Sequence, residues 1–122
     1  IDVVIDENGG LAGYSLSDFM TNFNLNASAM SAADYPFLNS MVLRLDRLMA
    51  PDTVESWGSL YQGSAWSEDG LIKGDVALKD LVSYLHPTLV PSDYVPYFFR
   101  NIAAGETVTL ASTSTCDDPY AT

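Results

Sequence analysis

The sequence predicts a mainly α-helical fold: a compact bundle of about five short helices, with at most one small two-stranded sheet joining the termini. Apolar residues recur at helical spacing in several segments, and most of these segments begin at a capping residue or a first-turn proline. The composition, 48% apolar and 17% charged over 122 residues, is typical of one globular domain. We therefore expect a single helical domain over residues 1–111 and a polar tail over 112–122.

Each element of this fold has its own local signal. The predicted helices span residues 15–23, 34–50, 52–63, 75–86 and 93–104. The clearest is the second, whose apolar stripe comprises Phe37, Leu38, Met41, Leu45, Leu48 and Met49. Ser15 and Asp18 form a start signal for the first helix, and Pro87 stops the fourth. Residues 1–5 and 106–111 are predicted strands that pair with each other.

Two glycine loops, residues 7–13 and 68–74, each precede an amphipathic helix. Asp18 and Asp80 fall at the same place within these helices. The apolar positions correspond at a constant offset: Leu16, Phe19, Met20 and Phe23 against Leu78, Leu81, Val82 and Leu85. One interpretation is an internal repeat about a pseudo-two-fold axis, with the second stripe facing the core. The alternative is that any two helices packed on a core share such a stripe.

The same loops resemble EF-hand or dockerin calcium loops in outline. Gly9 and Gly70 match the sixth loop position, and Leu11 and Ile72 match the aliphatic eighth position. The positions that should carry oxygen ligands depart from the motif: they hold Val4, Asp6, Asn8 and Ser15 in one copy and Ala65, Ser67, Asp69 and Val76 in the other. The calcium hypothesis therefore depends on an irregular site of Glu68, Asp69 and Asp75. Glycine turns with acidic helix starts are the structural alternative.

The charge balance limits the classes of partner. Sixteen acidic residues against five basic ones give a net charge of −11. Nucleic-acid affinity comes largely from Lys and Arg, so we expect no nucleic-acid partner. No apolar run approaches the roughly 18 residues of a membrane span, so we expect no membrane insertion. An acidic, lysine-poor surface stays hydrated in salt, which favours a secreted or extracellular location.

Few residues suggest catalysis. His86 is the only histidine and precedes Pro87 at a predicted helix end, where a structural role beside the helix dipole is favoured over a general base. Zinc sites need three or four protein ligands, which one histidine and one cysteine do not supply. Cys116 is the only cysteine, so no internal disulfide can form. Asn26 begins a sequon that matters only in a secreted chain.

An aromatic cluster is the remaining feature. Core packing explains most of its residues, but they surround more than one predicted helix face, which indicates that some of them contact a partner. The predicted interface comprises Tyr94, Tyr97, Phe98, Phe99 and Trp66.

Together these features predict a non-catalytic, acidic helical domain that acts through protein–protein contacts as a structural or assembly subunit, with a protein partner or with itself. One alternative is a calcium-binding module with degenerate EF-hand-like loops. The other is a small carboxylate-based enzyme or enzyme subunit. No cofactor is expected apart from calcium in the first of these alternatives.

Overall fold

A computed structural model describes residues 2–7, 13–25, 34–51, 53–54, 60–61 and 63–111. Within these residues the α-helices are α1 (Leu16–Asn22), α2 (Ala65–Asp69) and α3 (Gly74–Leu85). Short 3-10 helices are formed by Pro36–Asn39, Pro87–Leu89 and Ile102–Ala104. The strands are β1 (Val4–Asp6), β2 (Val42–Arg44), β3 (Leu48–Met49), β4 (Thr53–Val54), β5 (Leu60–Tyr61), β6 (Arg100–Asn101) and β7 (Thr109–Leu110).

A three-stranded sheet of order β1-β2-β6 lies at the centre of the described structure. β1 runs parallel to β2, with Val4 opposite Val42, and β6 runs antiparallel to β2. Two-stranded pairs, β3 with β7 and β4 with β5, accompany this sheet. Both termini of the described chain therefore contribute strands, but to different sheets.

The central strand β2 is buried on both faces of the sheet. Leu43 and the following Leu45 pack in a cluster with Ala77, Phe98 and Phe99, against which residues of α2 and α3 lie. Val42 packs on the other face in a cluster with Phe19, Phe37 and Ile102, beside α1. Because side chains alternate along a strand, helices α1 and α3 cover opposite faces of one sheet.

The predicted five-helix bundle is wrong. The structure is mixed α and β, and the predicted pairing of the terminal strands is also wrong, because β1 pairs with β2 and β7 pairs with β3. The helix predicted over 52–63 is wrong where β4 and β5 form an antiparallel pair. Residues 52, 55–59 and 62 of that helix lie outside the described residues.

The helix that looked clearest, over 34–50, is also wrong. Its start is a 3-10 helix, Pro36–Asn39, and the chain then enters β2 and β3. Residues 42–46 are all buried, the charged Arg44 and Asp46 included, so burial is continuous here and carries no helical period. A short, continuously buried run of this kind fits a strand covered on both faces as well as it fits a helix.

The helix predicted over 93–104 is replaced by a segment of turns and bends, β6 and a short 3-10 helix, Ile102–Ala104. The main-chain N–H groups of Tyr97, Phe98 and Phe99 all donate to the Asp80 carboxylate. The Asp80 carboxylate thus replaces the carbonyl acceptors that these N–H groups would have in a helix. This explains why the helical spacing of apolar residues predicted the wrong structure here.

The first and fourth helices are confirmed. Ser15 caps α1 by accepting from the Asp18 N–H, and the Asp18 carboxylate accepts from the Ser15 N–H, which completes a capping box. α3 ends at Leu85, and His86 donates its N–H to the Val82 carbonyl as the C-cap before Pro87.

The structure does not support the internal repeat. The Asp34 and Asp93 segments differ, because only the first leads into a 3-10 helix. The predicted core stripe of α3 is also wrong at Leu78, which is 63% exposed, and at Leu85, which is exposed too. α3 instead buries Ala77 and Asp80. Residues 8–12 of the first glycine loop lie outside the described residues.

Among the described helices, none has the length and apolar character needed to cross a bilayer.

Candidate functional site

Two of the three residues predicted to bind calcium, Asp69 and Asp75, have described side chains. Asp69 ends α2, and its carboxylate accepts from Lys73 Nζ at 2.6 Å and from the Tyr97 hydroxyl at 3.2 Å. The hydrogen bond from Lys73 lowers the pKa of Asp69. Asp75 is exposed in the first turn of α3, and the side chain of Glu68 lies outside the described part. Among the described residues, no group of three or more Asp, Glu, His or Cys could hold a metal ion.

The predicted interface aromatics lie mainly in the core. Phe98 and Phe99 are fully buried or nearly so. The Trp66 ring packs edge-on against Phe98 at 5.5 Å between centroids, and Tyr97 packs against the same ring at 4.8 Å. These aromatics therefore pack α2 and the segment before β6 against the sheet. Phe98 and Phe99 present no surface to a partner.

Asp80 organises the packing of α3, a role that was not predicted from the sequence. Its carboxylate is fully buried and accepts from the Tyr94 hydroxyl at 2.5 Å. It also accepts from the N–H groups of Tyr97 at 3.0 Å, Phe98 at 2.6 Å and Phe99 at 3.2 Å. Burial and the bond to Asp80 raise the pKa of the Tyr94 hydroxyl. The signal was present in the sequence: Asp80 lies three residues after Ala77, on the face that also carries Leu81 and Tyr84.

A second buried cluster joins β1, β2 and β6 through charge pairs. Arg44 Nη1 lies 2.6 Å from Asp6 Oδ2, and Arg44 Nε lies 2.7 Å from Asp46 Oδ2. Arg100 donates to both oxygens of Asp46, at 2.5 and 3.0 Å. The Tyr14 ring lies 3.7 Å from the Arg44 guanidinium carbon. Two carboxylates and two guanidiniums thus balance one another away from water.

The electrostatics of Asp46 follow from these partners. Burial alone would raise its pKa, but the hydrogen bonds from Arg100 and Arg44 outweigh burial and lower the pKa of Asp46. A charged residue enclosed by apolar neighbours, such as Arg44 between Leu43 and Leu45, was the available sequence signal.

A third polar cluster surrounds Glu106, shortly before β7. The Glu106 carboxylate accepts from Tyr84 at 2.6 Å, from Arg47 at 3.0 Å and from the Asn101 N–H at 2.9 Å. Burial is the main cause that raises the pKa of the Tyr84 hydroxyl, and the hydrogen bond to Glu106 raises this pKa further. Across the described residues, every buried side-chain nitrogen or oxygen has a hydrogen-bond partner. The polar interior of this region is therefore bonded internally.

The surface at β1 differs from this interior. Among the described strands, β1 pairs with β2 alone, so its other side is a sheet edge. Ile5, at the middle of β1, is 47% exposed. The Val4 N–H donates to the Met41 carbonyl, so Val4 directs its backbone toward β2, whereas Ile5, one residue on, directs its backbone outward.

An apolar groove of about 370 Å³ adjoins this edge. Its lining residues are Val4, Phe19, Phe23, Leu25, Asp34, Tyr35, Pro36 and Phe37. Phe23 is 48% exposed and also lines a neighbouring depression with Ile5, Asp6 and Glu7. We call the β1 edge and this groove together the β1 surface.

The segments that build the β1 surface carry exposed charges of one sign. No Lys, Arg or His occurs before Arg44, and Arg44 itself is buried and paired with acids. Asp2, Glu7 and Asp34 are exposed acids within the segments that build the surface. The β1 surface is therefore apolar at its centre and acidic around it.

Comparison of this chain with protein-family models, with curated proteins and with solved structures gave no match.

Proposed function

We propose that this chain is a non-catalytic domain that acts through protein–protein contacts, as a structural or assembly subunit, and that the β1 surface makes the contact. The observation that carries this proposal is a strand edge that no described strand pairs, combined with exposed apolar side chains, Ile5 and Phe23, beside an apolar groove. Sheet edges with open backbone groups are common templates for pairing with another chain.

The buried polar clusters support a structural role for the charged residues. Asp46, Asp80 and Glu106 each accept several hydrogen bonds from the chain's own guanidinium, hydroxyl or amide groups. Carboxylates engaged in this way stabilise the packing of sheet and helix, and they would have to give up these bonds to act on a substrate.

Site-specific photo-crosslinking tests the proposal. The chain carries p-benzoylphenylalanine in place of Ile5, Phe23 or Leu89, and it is irradiated in the cells that produce it. Leu89 is the matched control, because it is 73% exposed but lies in the 3-10 helix after α3. We expect one discrete polypeptide adduct from Ile5 and Phe23 and none from Leu89. The adduct should disappear in the Phe23→Ser variant and persist in Leu89→Ser.

Mass spectrometry of the adduct identifies either another polypeptide or a second copy of this chain, and both results support the contact. Equal crosslinking from all three positions, or a monomer without adducts at every concentration in sedimentation, would contradict the proposal.

A further inference from the structure

We propose that the β1 surface takes an extended, cationic segment of a partner protein as an added strand beside Ile5. This inference rests on the proposed function and specifies the chemistry of the partner. Strand addition provides affinity through main-chain hydrogen bonds and specificity through pockets for alternate side chains.

The backbone geometry of β1 suits such an addition. In a parallel pair, the residues of one strand direct their N–H and C=O groups alternately toward and away from the partner strand. Val4 and Asp6 face β2 in the register Val4 to Val42 and Asp6 to Arg44. Ile5 therefore directs one N–H and one C=O toward the edge of β1 that no described strand occupies.

The groove supplies the apolar part of the recognition. It lies beside Val4, and its aromatic lining comes from both α1 and the 3-10 helix at Pro36–Asn39. Phe19 packs tilted against Phe23 at 4.7 Å and edge-on against Phe37 at 6.4 Å, so the lining is braced from within the core. Alternate apolar side chains of an added strand would enter this groove.

The charge of the β1 surface favours a cationic segment of another protein over a second copy of this chain. Asp2, Glu7 and Asp34 are exposed around the surface, and the first 43 residues contain no cation. A second copy would bring acids opposite acids across the new strand pair, and like charges opposite each other destabilise a sheet. A segment that alternates apolar and basic residues would place its apolar side chains in the groove and its cations toward the depression lined by Ile5 and Glu7.

Peptide binding to the full chain tests the inference. The probes are the blocked peptides (Lys-Val)3 and (Glu-Val)3. Two further versions of (Lys-Val)3 are N-methylated at alternate residues, one at every Lys and the other at every Val; these are the two N-methyl phases. Binding is followed by backbone amide shifts. We expect the cationic peptide to bind at least tenfold more tightly than the acidic one, with shifts in β1 and α1. One N-methyl phase should weaken binding at least tenfold, because it removes the donors that face β1.

Variants separate the charge from the strand edge. Glu7→Lys should weaken the cationic peptide several-fold, and the control Asp75→Lys, an exposed acid on α3, should change its affinity less than twofold. Far-ultraviolet circular dichroism confirms that both variants fold.

The outcomes distinguish the two proposals. If Ile5 crosslinks a polypeptide but no peptide produces shifts in β1, or both N-methyl phases bind equally well, the strand-addition inference is overturned and the contact function remains. A crosslink to a second copy through Ile5, or equal binding of the acidic peptide, also overturns it. Absence of any crosslink removes the proposed function itself.

Discussion

Asp46 and Asp80 are both buried carboxylates, 5% and 0% exposed, but their negative charges are balanced by different means. Asp46 is held between two guanidiniums, those of Arg44 and Arg100. Asp80 accepts from three main-chain N–H groups and the Tyr94 hydroxyl, and no cation of the described residues donates to it. The first arrangement joins strands through charge pairs. The second joins helix α3 to residues 94–99 through hydrogen bonds from uncharged groups.

The difference determines what a mutation leaves behind. Removing the Asp46 charge leaves two buried cations with fewer acceptors, whereas removing the Asp80 charge leaves neutral amide donors. Uncompensated buried charge is costlier than an unsatisfied neutral group. The Asp46 cluster should therefore be the more sensitive of the two.

The largest expected effect is that of Asp46→Asn. The substitution keeps the shape of the side chain but places an amide donor against guanidinium donors. We expect a loss of about 3–5 kcal/mol in the free energy of unfolding, as for other buried pairs that lose one partner. Urea unfolding measures it, with an unchanged slope if the unfolded state is unaffected.

The exposed acid Asp93 supplies the control for this experiment. Asp93→Asn should stay within about 0.5 kcal/mol of the wild type. A similar small loss for Asp46→Asn would mean that Asp6 alone compensates the two arginines, and the comparison between the clusters would fail.

Asp80→Asn should have the next largest effect. One carbonyl oxygen cannot satisfy the donors that two carboxylate oxygens accept, and the new amide donor faces main-chain N–H groups. We expect a loss of about 2–3 kcal/mol. Hydrogen exchange should quicken first at Tyr97, Phe98 and Phe99. Uniform quickening, with no emphasis on these amides, would contradict the anchoring role of Asp80.

Acid titration sharpens the comparison further. The pKa of Asp46 is lowered in the folded state, so its stabilising contribution is present above the ordinary Asp pKa of about 3.9 and is lost as pH falls through the folded value. The stability difference between wild type and Asp46→Asn should therefore be largest near neutral pH and should narrow in acid. Thermal melts from pH 7 to pH 3 measure it. A difference that widened in acid would contradict the direction of the shift.

The elements that the sequence predicted well have local causes. The Ser15 cap and the Pro87 stop act within a few residues, and α1 and α3 lie where these signals placed them. The strand near residue 5 was also predicted, because β-branched residues favour strands. The strand that pairs with it was not predicted, because β1 pairs with β2, and the paired residues Asp6 and Arg44 are 38 positions apart in the sequence.

The errors arose where tertiary contacts override local spacing. Apolar residues around Val42 match a helix and a doubly covered strand equally well, and only the packing of α1 and α3 on the two faces decides. The Phe98 segment bends instead of forming a helix because Asp80, on another element, accepts its N–H groups. The β1 surface could not be predicted for the same reason: an edge exists only relative to the other strands of its sheet.

Tyr94→Phe has the smallest expected effect and isolates one donor of the Asp80 cluster. The substitution removes the hydroxyl that lies 2.5 Å from Asp80 Oδ1 and leaves the three amide donors in place. We expect a loss of about 1–2 kcal/mol, because the bond is to a charged group. Tyr97→Phe is the matched control, since its hydroxyl bonds at 3.2 Å to Asp69, which Lys73 already neutralises. Chemical denaturation of both variants should rank Tyr94→Phe as the more destabilised, because the Asp80 charge depends on hydrogen-bond donors and the Asp69 charge has a cation. An equal loss in both variants would place the stabilising effect in ring packing instead of in the hydrogen bond to Asp80.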